Sequence, residues 1–466
     1  MTMEVLADWV SKVSNVVWNG LLLYLLVGTG IVFTIRTRFI QVRKFGAGWK
    51  HLFGHFSLNG EKAGKDGMSP FQALTTAIAA QVGTGNIAGA ATALYSGGPG
   101  AIFWMWLSAF FGMSTIYGEA VLAQKYKTTD DKGHVTGGPI YYIRARFTGK
   151  FGKFLAGFFS VAIIFALGFT GNMVQANSIS VAFNTAFGAP MIVVGIICAI
   201  IAAFIFLGGV GRIAAVTEKV VPIMALFYMG GAVVVLWVHR ANLPQAFAQI
   251  CSMAFDTRAG TGGVLGYGMT QAVRAGVSRG VFSNEAGLGS SVMVHAAADA
   301  REPCEQGMWA VFEVFFDTIV MCSVTAFVIL TSGVYDVSRY ALASGTPLLS
   351  QLTTGAQLTA EAFSTVFGRF GRGFVAVSLA LFAFSTLLGW SYYGQRAAAY
   401  LMGERVIPVY KAAFLLAAAA GCMMRLEPVW ALSDTFNGLM ALPNLAGVLA
   451  LRRQVIAEWC RYKHDL

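Results

Sequence analysis

Charged residues are scarce in this chain. They make up 12% of its 466 residues, against 56% hydrophobic, where a soluble domain carries about 25% charged. So little charge cannot cover a water-facing surface, and a soluble globular fold is excluded. A bilayer removes the requirement, because lipid is then the solvent for most of the exterior. The six cysteines (Cys198, Cys251, Cys304, Cys322, Cys422, Cys460) form no C-x-x-C and no other metal-ligand spacing. Cys198, Cys322 and Cys422 lie in or at the edge of apolar runs and read as small apolar side chains. No G-x-x-x-x-G-K-[ST] loop is present, so ATP does not drive this chain directly. The six histidines are scattered and no acid–base or metal constellation stands out, so the chain does not read as an enzyme and no organic cofactor is expected. The N-terminus carries Glu4 and Asp8 where a signal peptide would be basic, and no small-residue cleavage site closes the first apolar run.

What is abundant is apolar length. A spanning helix needs about 20 mostly apolar residues, and about 11 segments qualify: 14–35, 69–96, 99–124, 154–184, 190–209, 216–238, 264–299, 306–333, 373–402, 407–424 and 428–451. The seventh is interrupted by Arg274 and Arg279. This predicts an all-α membrane protein, a single transmembrane domain over 1–466. The net charge of +11 does not indicate nucleic acid, because the basic residues sit in short loops between apolar runs. With the N-terminus outside and alternating sides, 24 Lys and Arg fall on one side and 7 on the other. The positive-inside bias then puts the C-terminus in the cytoplasm.

Two segments are unlike ordinary spanning helices. The second contains Gln81-Val82-Gly83-Thr84-Gly85-Asn86-Ile87-Ala88-Gly89, and the seventh contains Arg279-Gly280-Val281-Phe282-Ser283-Asn284-Glu285-Ala286-Gly287-Leu288-Gly289. Both place glycines, hydroxyls and Asn inside an apolar run, and they share Asn-x-Ala-Gly. After the extra first helix at 14–35, each motif opens a block of five spans, 69–238 and 264–451, which run in opposite senses as inverted repeats. Gly-rich stretches let a helix unwind. At membrane depth the freed backbone groups are tolerated where they line a polar cavity: half-helix N-termini face a carboxylate, and unwound carbonyls coordinate Na⁺. The competing reading is close helix packing, which Gly85-x-x-x-Gly89 would satisfy; packing alone does not ask for Asn86, Asn284 and Glu285.

The strings QVGTGNIAGAATA and RGVFSNEAGLGSS, with GGPIYYI at 137–143, TGNMVQANS at 170–178 and the Thr386–Trp390 segment, resemble the alanine or glycine:cation symporter family over about residues 14–451. The resemblance implies a leucine-transporter-like fold of five plus five inverted helices preceded by one extra helix. It also implies symport of alanine or glycine with Na⁺, or H⁺, in a bacterial inner membrane. Substrate would lie against Gln81, Thr84, Gly85, Asn86, Phe282, Ser283 and Asn284 in the two motifs, with Gln175 and Trp390 from other helices. Thr84, Ser385 and Thr386 would supply oxygens to Na⁺.

Several side chains keep two readings. Gln175 either meets substrate or bonds Asn172 or Asn177. Trp390, four residues after Thr386 and on the same face, either walls a small pocket with Phe282 or packs in lipid or core. Glu313 and Asp317, also four apart, are a cation or proton site or else a structural pair with Arg279, Arg274 or a cation at the cytoplasmic end. Glu119 and Glu285 stand similarly; Glu285 neutralises Arg279, caps the second half-helix or binds the cation. His295 relays protons or is simply packed. A channel, or another membrane protein for a different small solute, is the alternative function. A channel needs a continuous polar lining, whereas the polar groups here cluster at two mid-span breaks.

Overall fold

The computed structural model describes residues 12–14, 16–46, 67–130, 133–255, 265–337, 340, 352–424 and 426–462. Residue 264 of the seventh expected span, Glu4 and Asp8, and eight of the loop cations (Lys50, Lys62, Lys65, Lys132, Arg258, Arg339, Arg425, Lys463) lie outside them. The protein is mostly helical. Among the described residues, five helices are long and apolar enough to cross a membrane: Gly100–Lys125, Gly149–Phe187, Gly209–Val238, Pro303–Thr331 and Arg369–Met402.

Apart from the short turns Val17–Leu22, Ile40–Arg43, Arg240–Asn242 and Glu404–Val406, the helices in chain order are α1 (Leu23–Arg36), α2 (Pro70–Gln81), α3 (Ala90–Gly97), α4 (Gly100–Lys125), α5 (Pro139–Arg146), α6 (Gly149–Phe187), α7 (Met191–Leu207), α8 (Gly209–Val238), α9 (Leu243–Met253), α10 (Leu265–Asn284), α11 (Val292–Ala296), α12 (Pro303–Thr331), α13 (Gly355–Phe367), α14 (Arg369–Met402), α15 (Ile407–Gly421), α16 (Leu426–Ala450) and α17 (Arg452–Tyr462). A two-stranded antiparallel hairpin, β1 (Thr128–Thr129) with β2 (Val135–Thr136), joins α4 to α5.

Local chemistry sets the ends. Ser69 and Gln72 form a reciprocal capping box at α2, with Pro70 at the first helical position. α6 stops at Gly188 in the left-handed conformation, φ +70°. Elsewhere the pattern of a soluble protein is inverted. Large apolar side chains face outward on α7 and α8, with Ile200 63%, Phe204 68% and Leu226 74% exposed. Asn86, Glu119, Glu313 and Asp317 are fully enclosed. That suits lipid outside and a polar site within.

The second and seventh expected spans are both interrupted. α2 ends at Gln81, Val82 leaves helical geometry at ψ +86°, and a wide-wound turn Gly85–Gly89 leads into α3. α10 ends at Asn284, and the chain runs non-helically to α11. α4 packs against both α10 and α12, and α14 lies along α2 and α6. The short helix α5 and the amphipathic helices α9, α13 and α17 fall between or beyond the expected spans. α13 matters to the site, because Thr359 Oγ1 donates to the Ile87 carbonyl at 3.0 Å within the first break.

Candidate functional site

The two breaks touch. A methyl at Gly85 would come within 2.9 Å of Ser283 Oγ, so only glycine lets the first break lie this close to the second. Asn86 folds back to accept from Gly83 N–H at 2.9 Å and sends its Nδ2 to Asp317 Oδ1 at 2.7 Å. Ser283 Oγ donates to that same carboxylate oxygen at 3.0 Å, and Thr318 Oγ1 donates to Asp317 Oδ2 at 2.8 Å. Asp317, from α12, therefore joins the two motifs.

On the opposite side the first break faces α6 and α14. Gln175 Oε1 accepts from Thr84 N–H at 3.2 Å. Thr386 Oγ1 donates to the Ala79 carbonyl at 3.1 Å and Ser385 Oγ to the same oxygen at 3.3 Å. Gly83 is pressed against both helices: an added methyl there would lie 2.4 Å from Thr386 Oγ1 and 3.3 Å from Gln175 Oε1. Thr84 Oγ1 is buried with no hydrogen-bond partner. The Ser385 and Thr386 hydroxyls and the Ala79 carbonyl they share are hard oxygens of the kind an alkali cation takes. Among the described residues no group of three or more His, Cys, Asp or Glu could hold a metal.

Gln175 thus reaches the break, while its neighbours go elsewhere: Asn172 Nδ2 donates to the Phe414 carbonyl at 2.7 Å and Asn177 Nδ2 to the Gly421 carbonyl at 2.7 Å. Trp390 faces inward, 2% exposed. Its ring stands edge-on to Phe282 with centroids 6.4 Å apart, and a methyl at Gly171 would touch it at 2.7 Å. Lipid packing of Trp390 is therefore excluded. Its indole Nε1 donates to Glu285 Oε1 at 2.6 Å. Two site candidates point away from this cluster. Gln81 Nε2 donates to Glu313 Oε1 at 2.9 Å, and Asn284 Nδ2 donates to Thr318 Oγ1 at 2.9 Å while its Oδ1 accepts from Ala286 N–H at 3.0 Å.

The expected pairings of the acids with Arg279 are corrected. Arg279 bonds Asp434 of α16. Glu313 instead meets Gln81 and His295 Nε2, the latter at 2.7 Å, and His295 Nδ1 faces Gln306 Oε1 at 2.7 Å. Asp317 is held by the neutral donors above, and Glu285 by Trp390 and by Ser290 Oγ at 2.5 Å. Each buried acid has donors on its oxygens, the arrangement that makes burial tolerable. Glu119 of α4 accepts from Gly287 N–H at 3.1 Å and from Asn444 Nδ2, and Asn444 also donates to the Gly287 carbonyl at 2.9 Å, so two helices grip the second break.

A cavity of about 460 Å³ opens beside the cluster, lined by Thr92, Ser178, Arg279, Gln357, Arg372 and Trp430 among others. Below it, Arg279 Cζ lies 5.1 Å from the Trp430 ring centroid and 5.6 Å from that of Phe282, and Phe282 lies 5.0 Å from Trp430. Asp434, Trp430 and Asn444 were missed in the sequence. Asp434 alone left a signal, a carboxylate inside an apolar run; the other two are ordinary residues for a membrane helix.

The family model described as the sodium:alanine symporter family matches residues 3–466. The chain is 43% identical over 455 residues to the sodium/alanine symporter AgcS of Methanococcus maripaludis, covering 97% of this chain and 96% of that protein. It is 38% identical to the probable sodium/glutamine symporter GlnT of Bacillus subtilis, covering 97% of this chain and 90% of the other. Among solved structures it resembles a Na⁺-coupled sialic acid symporter in a substrate-bound outward-open state, with TM-score 0.51, 14% identity and coverage of 94% and 86%. At that identity the likeness is one of fold: the chain folds as a multi-pass membrane transporter.

Proposed function

The chain belongs to the sodium:alanine symporter family, a family of transporters and not of enzymes, and from that premise we propose that it imports a small neutral amino acid, alanine or glycine or both, together with Na⁺ by alternating access. The observation that carries the reading is the contact of the two broken helices at Gly85 and Ser283, with Gln175, Phe282 and Trp390 gathered round them. The architecture proposed is of 11 spans. A first helix (14–35) precedes two inverted five-helix repeats, 69–238 and 264–451, in a bacterial inner membrane with the N-terminus outside.

Na⁺ binds at the α2–α14 contact, to oxygens of Thr84, Ser385 and Thr386. The ion replaces the hydrogen bonds that Ser385 and Thr386 make to the Ala79 carbonyl, satisfies the unpartnered Thr84 hydroxyl and ties the break to α14. The amino acid then lies between the breaks. Its carboxylate takes backbone N–H groups around Thr84 and Gly85 at the positive end of the second half-helix. Asn86 and Ser283 frame the polar side, Gln175 shifts its amide from Thr84 to the ligand, and Phe282 and Trp390 close on a methyl-sized side chain; Gln81 and Asn284, turned to Glu313 and Thr318, brace the breaks from behind. The cavity above Trp430 is the outer approach, and Arg279, Asp434, Trp430 and Phe282 form its floor. H⁺ is the alternative coupling ion. GlnT is named for a larger substrate, so substrate size is the open variable of this fold. Uptake of labelled alanine, glycine and glutamine into proteoliposomes under imposed Na⁺ or H⁺ gradients tests the reading. Counterflow of labelled against unlabelled alanine distinguishes a carrier from a channel.

A further inference from the structure

Glu285 stands in a conformation its own side chain does not favour. Its φ is +56°, and among the described residues only Arg38 and Phe39 share a positive φ without being glycine. Gly287 and Gly289, at +88° and +81°, are what the same loop uses at its other positive-φ positions. A side chain kept at such a position needs a task that glycine could not perform. The carboxylate is 1% exposed and both of its oxygens are engaged. Oε2 accepts from Ser290 Oγ at 2.5 Å, within the same loop. Oε1 accepts from the indole of Trp390, which lies 105 residues on and in another helix, at 2.6 Å. The loop bond fixes the carboxylate, and the carboxylate fixes the ring.

We infer that Glu285 is a specificity-positioning residue: it holds the Trp390 ring as the rigid wall that excludes side chains larger than a methyl group. The inference rests on the proposed alanine or glycine site. A tryptophan on a helix has several rotamers, and a wall that can swing aside excludes nothing. Here the ring is pinned on three sides, by the Gly171 backbone, by the edge of Phe282 and by the single polar bond from its Nε1. The first two are shape contacts that tolerate a tilt. The hydrogen bond to a buried, doubly anchored carboxylate does not, because the indole has one donor and burial offers it no water as a substitute. Discrimination against larger substrates is steric, so it depends on the stiffness of the wall more than on its attraction for alanine.

The test uses purified full-length variants and competition of L-leucine against labelled L-alanine. Glu285→Gly removes the carboxylate while suiting the positive φ, so the loop keeps its path. The leucine-to-alanine discrimination should then fall by about tenfold, the scale of selectivity that small hydrophobic differences command. Glu285→Gln keeps a carbonyl acceptor for the indole and an amide that Ser290 Oγ can accept, and should restore discrimination. Trp390→Phe keeps a ring without the donor; on that background Glu285→Gly should change the ratio no further. Discrimination unchanged in Glu285→Gly, while Trp390→Ala abolishes it, overturns the positioning role and leaves the pocket standing. Discrimination unchanged in Trp390→Ala overturns the pocket itself and the inference with it.

Discussion

An alanine at position 83 would place its methyl carbon 2.4 Å from Thr386 Oγ1, 3.2 Å from Thr386 Cβ and 3.3 Å from Gln175 Oε1. Gly83 does not have a positive φ, so the substitution tests space alone. To reach ordinary van der Waals contact the break and α14 must part by about 1 Å, an overpacking that costs roughly 1–3 kcal/mol in a tight interior. The parting acts on the pair that matters, because Thr386 Oγ1 bonds the Ala79 carbonyl at 3.1 Å from the other side of the same contact. If these oxygens bind Na⁺, a comparable loss appears in ion binding; 1.4 kcal/mol is one factor of ten, so the Na⁺ concentration for half-maximal uptake should rise by about ten- to a hundredfold. The assay is alanine uptake into proteoliposomes over a Na⁺ titration, with thermal unfolding run in parallel. Gly157→Ala, where an added methyl meets nothing within 4 Å, is the control and should behave as the parent. A Gly83→Ala protein with normal Na⁺ dependence would refute the reasoning, since it would mean that the break does not rest on Thr386 in the transporting states.

Thr386→Ala should weaken Na⁺ dependence with little change in folding, because water replaces a lost oxygen ligand imperfectly; Na⁺ titration of uptake reads this, and an unchanged titration removes Thr386 from the ion site. Trp390→Ala should lower alanine affinity through lost contact at about 25 cal/mol per Å² and relatively favour leucine, as competition binding would show. Asp317→Ala strips the acceptor from Asn86, Ser283 and Thr318. Each stranded buried donor costs about 1–3 kcal/mol, so a marked fall in melting temperature is expected; a melting temperature like the parent's would deny Asp317 its role in joining the breaks.

The five long apolar helices and both breaks were legible because each has a local cause: apolar length for the helices, glycine and polar residues within it for the breaks. Phe282, Trp390, Gln175, Ser385 and Thr386 could be nominated from motif and resemblance, and the fold brings them to the first break or to each other. What stayed hidden was partner choice. Arg279 was open to the nearby Glu285, Glu313 or Asp317, yet it pairs with Asp434, 155 residues away. Glu313 finds His295 and Gln81, 18 and 232 residues distant. Such pairings follow from which helix faces meet, and a sequence pattern with a period of 3.6 says nothing about the neighbour. α13 escaped for a different reason: 13 residues are too few for a span, and its buried side, Leu358, Thr359, Ala362 and Phe363, is that of a surface helix lying across the bundle.

The central claim, a Na⁺-driven carrier of a small amino acid, is tested most directly by alanine uptake into proteoliposomes holding only the purified chain, with an imposed inward Na⁺ gradient and no nucleotide. The account predicts transient accumulation above equilibrium that collapses when the Na⁺ gradient is dissipated. Accumulation that persists without any cation gradient, or equilibration that never exceeds the external concentration, would contradict it.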